Sequence, residues 1–178
     1  MKKNKQYLFI LCGEAFSGKT TLAKKISKLC KAKIIGRDGF YPSIAKILAL
    51  EDTPEKDDDN LWKNLWPIAV QGVKNWLLLG ESVVVDDNCL YSNQREDLYR
   101  VAKEAGIKHT LIYLNITTEV LKERKRQNKI NKTRHDVPSS WMEEDSNTFE
   151  RPGFAENPLV FTEKETIDDL LKKINEMI

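Results

Sequence analysis

Gly13, Gly18, Lys19 and Thr20, within LCGEAFSGKTT, satisfy the spacing G-x-x-x-x-G-K-[ST]. The chemistry of that spacing is phosphate binding. Glycines let the main chain curl until several N–H groups point inward at an anion, and the positive end of the following helix stands behind them. In such a loop the stretch Gly13, Glu14, Ala15, Phe16, Ser17, Gly18 and on to Thr21 cradles the phosphates of ATP. Lys19 reaches the β- and γ-phosphates, and the Thr20 hydroxyl binds Mg²⁺. A plain glycine turn before a lysine-rich helix needs neither Thr20 nor an acidic partner elsewhere. Such a partner is present. Asp86, at the end of the apolar run SVVV, stands where a carboxylate can hold the water shell of Mg²⁺, an ion that takes few protein ligands. Asp86 is preferred to Asp87 for this role, the plain alternative for both being a cap or turn pair after a strand.

Phosphoryl transfer to an alcohol needs a carboxylate beside the acceptor hydroxyl, whereas a hydrolytic switch needs an oriented water. Asp38, after a second short strand, falls on the same sheet edge as the cradle and is expected to orient or deprotonate the acceptor. Its bland alternative is a turn residue in RDG. Negative charge spreads over the migrating oxygens, so guanidinium groups from a closing segment are expected as well. Arg124, Arg126 and Arg134 bracket a basic stretch, about 124–137, that reads as a mobile lid; a solvated charged helix is the alternative.

These groups need elements to carry them. Tyr7 to Cys12 reads as a strand buried on both faces, and Leu22, Ala23, Ile26, Leu29 and Cys30 recur at helical spacing after Lys19. Lys33 to Gly36 suggests a second strand, Ser43 to Leu50 a helix, and EDTPEKDDDN a solvated loop. Pro67 suits the first turn of a helix that stops at Gly80; Ser82 to Val85 is the clearest central strand. Helix is expected from Asn93 to Gly106 and from Thr118 to about Gln127, with Thr110 to Leu114 a strand between them. NKINKTRHDVP then reads as loop, Ser139 or Ser140 as a helix cap, Leu159 to Phe161 as a last strand and Ile167 to Ile178 as a closing helix. Strands alternating with helices at this rhythm imply an α/β fold, a parallel sheet covered on both faces.

The chain's 178 residues suit one domain, 1–178, with its lid. A formal charge of +2 does not hold a polyanion by itself, so a nucleic-acid partner is possible without being favoured. Cys12, Cys30 and Cys89 read as reduced thiols, which points to the cytoplasm, and no segment is apolar enough to span a membrane. Trp62 and Trp66, one helical turn apart, could stack nucleobases, although aromatic residues at that spacing more often belong to a core.

GEAFSGKTT, the GRD ending at Asp38, VVVDDN, Gln94 with Arg95, and LKERKR from Leu121 together resemble the polynucleotide-kinase-like P-loop kinases. That group includes polynucleotide 5′-hydroxyl kinases, seryl-tRNA kinases and small bacterial members of the AAA type. The resemblance runs from about Leu8 to Phe161 and implies a P-loop NTPase three-layer sandwich with an adenylate-kinase-like core. It implies Asp38 as general base, Asp86 as the carboxylate after the strand, Arg124 as a lid arginine, and Arg126 or Arg134 as the second. Arg37, Tyr41 and Arg95 fall among the expected acceptor-side residues. Tyr41 stands where polynucleotide kinases carry an arginine for the acceptor's phosphate, and Phe16 stands where a glycine is usual, so a bulkier loop tip is expected to shape the acceptor side. Three functions follow: an Mg²⁺-ATP kinase for a small-molecule or nucleotide-containing alcohol, a polynucleotide 5′-hydroxyl kinase, or a nucleotide-dependent switch. A switch needs neither Asp38 nor several lid arginines.

Overall fold

The computed structural model describes residues 6–47, 58–132 and 137–178. Five strands, β1 (Tyr7–Cys12), β2 (Lys33–Ile35), β3 (Val83–Val85), β4 (Lys108–Leu114) and β5 (Leu159–Phe161), form one sheet in the order β2-β3-β1-β4-β5. Every pairing is parallel; β1 sets Ile10 opposite Val85 on one side and opposite Leu111 on the other. The helices are α1 (Lys19–Cys30), α2 (Arg37–Ile47), α3 (Asp58–Leu78), α4 (Ser92–Ala105), α5 (Thr118–Asn131), α6 (Ser139–Thr148) and α7 (Ile167–Met177).

Strand alternation divides the apolar residues between two layers. Leu8, Ile10 and Cys12 pack with Ala69, Val73 and Leu77 of α3 and Leu98 and Val101 of α4. Tyr7, Phe9 and Leu11 pack with Leu22 and Ile26 of α1 and Leu170 and Ile174 of α7. Every residue of β1 is therefore buried, which is why it reads as a continuous apolar run. The sheet between two helical layers is the three-layer α/β sandwich expected from the alternating pattern.

Three element boundaries differ from the sequence reading by more than two residues. α2 begins at Arg37, six residues before Ser43, and its first turn contains Asp38, whose charge suits a helix N-terminus. Pro67 lies inside α3 and not in its first turn, since the helix starts at Asp58. An interior proline costs about 3 kcal/mol, but the stripe Leu61, Leu65, Ala69, Val73 and Leu77 stays buried across it and outweighs that cost. Asp58 to Asn60, expected in a solvated loop, are therefore helical, and the remainder of EDTPEKDDDN lies outside the described residues. Finally, α5 continues to Asn131, past the expected end at Gln127. Lys132, in the left-handed region at φ 47°, donates its N–H to Asn128 O at 2.7 Å and closes the helix there.

Candidate active site

The stretch between β1 and α1 turns twice through glycine, Gly13 at φ 149° and Gly18 at φ 106°. Gly13 N–H donates to Asn88 O at 3.0 Å, tying the loop's first residue to the segment after β3. Lys19, buried, folds back across the loop and donates from Nζ to Gly13 O at 2.9 Å and Glu14 O at 2.8 Å. The lysine head thus closes over the concavity a phosphate chain would fill. Thr20 and Thr21 are exposed in the first turn of α1.

Phe16 departs from the expectation that a bulky loop tip shapes the acceptor side. It holds a left-handed φ of 65°, a conformation that favours glycine, yet its ring is buried in the α1/α7 layer. Burial of the ring offsets the backbone strain, and the residue lines a groove of about 520 Å³ on the α5 side. Ser17, Gly18, Thr21, Arg124 and Gln127 line it too.

Parallel pairing brings the carboxyl ends of β2 and β3 beside this loop. Asp86 N–H donates to Ile35 O at 2.7 Å, and a Cβ at Gly36 would collide with Asp86 O, so the two strand ends approach as only glycine allows. The Thr20 hydroxyl lies near enough to the Asp86 carboxylate to favour its charged form. Burial pushes the Asp86 carboxyl up; the Thr20 hydroxyl and the Lys19 charge pull it down, and Asp38 and Asp87 push it up again. Thr20, Lys19 and Asp38 therefore all act on Asp86. A hydroxyl and a carboxylate close together beside a phosphate loop fit Mg²⁺, which fills its remaining positions with water and phosphate.

Asp87 has a separate task. It accepts two hydrogen bonds from the Arg37 guanidinium, from Nε at 2.8 Å and Nη2 at 2.5 Å, and a third from Asn88 N–H at 2.8 Å. Arg37 also lies over the Trp66 ring, 5.6 Å from its centroid. Trp66 is itself in the core and donates Nε1–H to Asp97 at 2.9 Å, so it is a packing residue; the Trp62 side chain lies outside the described residues. Asp38, exposed, follows Arg37 directly, and Tyr41 is one turn further along α2.

Of the arginines expected in a lid, Arg124 reaches the loop and donates from Nη1 to Phe16 O at 3.1 Å and Ser17 O at 2.9 Å. Arg126 does not. It faces solvent and pairs with Glu123 of its own helix at 2.8 Å, because a two-residue step on a helix turns a side chain to the far face. Arg134 lies outside the described residues. Arg95, expected on the acceptor side, is 1% exposed and fully engaged. It forks onto Glu156 at 2.7 and 2.9 Å and donates to the carbonyls of Cys89 and Leu90, so it braces the loop after β3 and has no surface for a substrate.

Two residues without a sequence motif complete the surroundings. Lys125 is buried and clamps the start of α6, donating to Val137 O at 2.5 Å and Ser139 Oγ at 2.9 Å. Asp145, on α6, accepts from Asn88 Nδ2 at 3.3 Å. Burial pushes its carboxyl up to about 6, against the pull of Lys19 and with the push of Glu14 and Glu144. The thiols of Cys12 and Cys89 are buried and that of Cys30 half-buried; all three are free, with Cys12 pushed up to about 12 by burial. Among the described residues no helix is long and apolar enough to cross a membrane.

Residues 8–152 match the AAA_33 family, an AAA domain, and the chain belongs to that family. An L-seryl-tRNA(Sec) kinase of Methanococcus maripaludis is 30% identical over 127 residues, covering 66% of this chain and 44% of that protein, so the match spans less than half of the relative. A Chloroflexus aurantiacus protein proposed to be a kinase has the same fold, with a TM-score of 0.75 at 15% identity over 98% of this chain and 99% of that one. Kti12 of Chaetomium thermophilum, solved with ADP-AlF3, gives a TM-score of 0.72 at 17% identity over 95% of this chain and 97% of that one. The fold is that of the P-loop kinases.

Proposed function

We propose that this protein is an Mg²⁺-ATP kinase that transfers the γ-phosphate to a hydroxyl of a small-molecule or nucleotide-containing acceptor. The observation that carries the reading is that parallel strand ends set Asp86 beside the Gly13–Lys19 loop, where Thr20, Lys19 and Asp38 all act on its carboxylate. A metal position beside a phosphate loop serves any nucleotide-binding protein. A further exposed carboxylate on the neighbouring strand's helix is what an alcohol acceptor requires.

In this reading the loop amides and Lys19 bind the triphosphate, with Lys19 leaving the Gly13 and Glu14 carbonyls for the phosphates. Thr20 and Asp86 would hold Mg²⁺, which when bound neutralises charge on the β- and γ-phosphates. Asp38 accepts the acceptor's hydroxyl proton as the oxygen bonds to the γ-phosphorus and the bond to the β–γ bridging oxygen breaks, releasing ADP. Arg124, held at the loop tip, is within the region where charge develops on the migrating group. The groove lined by Phe16, Arg124 and Gln127 adjoins the loop on the side away from Asp38 and would take the nucleoside. The relative named as an L-seryl-tRNA(Sec) kinase supports a hydroxyl acceptor.

The test is transfer of label from γ-labelled ATP to a panel of alcohols, nucleosides and 5′-hydroxyl oligonucleotides, beside calorimetry of Mg-ATP binding. Binding with labelled product supports the reading; binding and hydrolysis with no labelled acceptor in any class sinks it in favour of a switch.

A further inference from the structure

The cations placed at the loop above already have anionic or carbonyl partners. Lys19 donates to Gly13 O and Glu14 O, Arg37 forks onto Asp87, and Arg124 holds the carbonyls of Phe16 and Ser17. Asp145 is different. It is half-buried, and among the described residues no Lys or Arg nitrogen forms an ion pair with it; its partner is the neutral amide of Asn88 at 3.3 Å.

The Asn88 main chain that carries this amide is fixed from two sides. Asn88 O accepts from Gly13 N–H at 3.0 Å, and Asn88 N–H donates to Asp87 Oδ1 at 2.8 Å. Asn88 therefore joins the first residue of the loop to the Asp87–Arg37 pair that precedes Asp38, and its side-chain amide donates to one oxygen of Asp145. The link through Asn88 to Gly13 and to the Asp87–Arg37 pair places Asp145 on the Asp38 side of the loop, and it does not line the groove beside Arg124. Tyr41, one turn beyond Asp38, adds no charge there.

We infer that Asp145 determines acceptor specificity by binding a protonated amine, so that the acceptor is an amino alcohol rather than a phosphorylated alcohol. The inference rests on the kinase reading above. An ammonium group brings three donors to a carboxylate that has one neutral partner, and a charge-assisted hydrogen bond is about twice as strong as a neutral one. A phosphate in the same place would meet the carboxylates of Asp145 and Glu14, while Lys19 and Arg37 nearby are already held by the loop carbonyls and by Asp87. In the transfer step the amine stays protonated on Asp145, the hydroxyl proton passes to Asp38, the acceptor oxygen bonds to the γ-phosphorus, and ADP leaves.

The experiment measures ADP release from Mg-ATP with ethanolamine, serinol and L-serine methyl ester, against ethylene glycol, glycerol and methyl 3-hydroxypropionate, and with glycerol 3-phosphate as the anionic member. Each amine is expected to exceed its deaminated counterpart in kcat/KM by roughly tenfold or more, the size of one charge-assisted hydrogen bond. Asp145→Asn keeps an acceptor for the Asn88 amide and is expected to bring the amine-to-diol ratio close to unity. Asp145→Lys is expected to turn preference toward glycerol 3-phosphate. Parity between amines and diols in the unsubstituted protein overturns the inference, as does an undiminished ratio in Asp145→Asn or a panel in which no compound raises ADP release. Should Asp145→Asn fail to fold, the ratio in the unsubstituted protein decides alone. Absence of Mg-ATP binding removes the kinase reading and the inference together; ATP turnover with diols at parity removes only the inference.

Discussion

Arg37 and Asp87 meet as a two-pronged ion pair, Nε to Oδ2 at 2.8 Å and Nη2 to Oδ1 at 2.5 Å, which fastens the first turn of α2 to the end of β3. Asp38 is the next residue along α2. The pair therefore sets the distance between the proposed base and the phosphate loop, although neither partner belongs to that loop.

Removing Asp87 leaves a largely buried guanidinium without its counter-charge. Asp87→Ala is expected to lose about 3 kcal/mol of stability, the cost of orphaning one member of a buried pair. Transfer should fall more than ATP affinity, since Asp38 loses its anchor while the loop keeps its amides. Denaturant unfolding and calorimetry of Mg-ATP binding check the two halves separately, and an unchanged kcat in a destabilised variant would separate the pair from catalysis.

Lys19 is the group whose loss should be felt most directly. Lys19→Ala is expected to reduce turnover by about 10²–10³-fold, the usual consequence of removing a donor aimed at developing charge. Asp38→Asn should bind ATP nearly as well as the unsubstituted protein and stop transfer. Normal acceptor phosphorylation by that variant would end the role given to Asp38.

Arg124 and Arg126 should behave differently although they stand two residues apart. Arg124→Ala is expected to lower kcat by tenfold or more, as roughly 1.4 kcal/mol of transition-state stabilisation disappears. Arg126→Ala, which breaks only a solvent-exposed pair with Glu123, should leave kcat within about twofold. Equal losses in the two variants would mean that α5 rotates Arg126 inward on closure.

Arg95→Ala should be a stability variant. Arg95 is 1% exposed and Glu156 is its counter-charge, so about 3–5 kcal/mol is expected to be lost, visible as a lowered melting temperature. KM for the acceptor should not change in the protein that remains folded, and a selective rise in KM would restore the acceptor-side role that the sequence suggested.

Asp145 makes stability depend on pH. Its folded value near 6 lies above the ordinary carboxylate value of 3.8, so its contribution is fully favourable below 3.8 and is lost as pH rises through 6. Lys19 and Arg37 oppose that shift, while Glu14 and Glu144 add to it. Asp145→Asn should therefore raise stability at pH 8 by about 1–2 kcal/mol, a figure reduced for solvent screening, and lose that advantage near pH 4. Thermal melts of both proteins across that range decide it; a gain that grows on acidification would reverse the sign.

The sequence by itself determined the parts whose physics is local. A buried strand, two glycines at a fixed interval, Lys19 and Thr20 are contiguous, and the loop that they form needs no distant residue to be recognised. The layers were legible for the same reason, because the period of apolar residues in β1 and α1 records which faces are covered. Tertiary structure decided the rest. Whether Arg37 serves a substrate or Asp87, whether Arg95 faces a crevice or Glu156, and whether Asp145 is solvated or set beside Asn88 all depend on partners 50, 61 and 57 residues away. An ion pair between distant residues leaves no period in the chain. A charged residue braced in the interior and one poised for a substrate look alike until folding brings the counter-charge beside one and leaves the other facing the crevice.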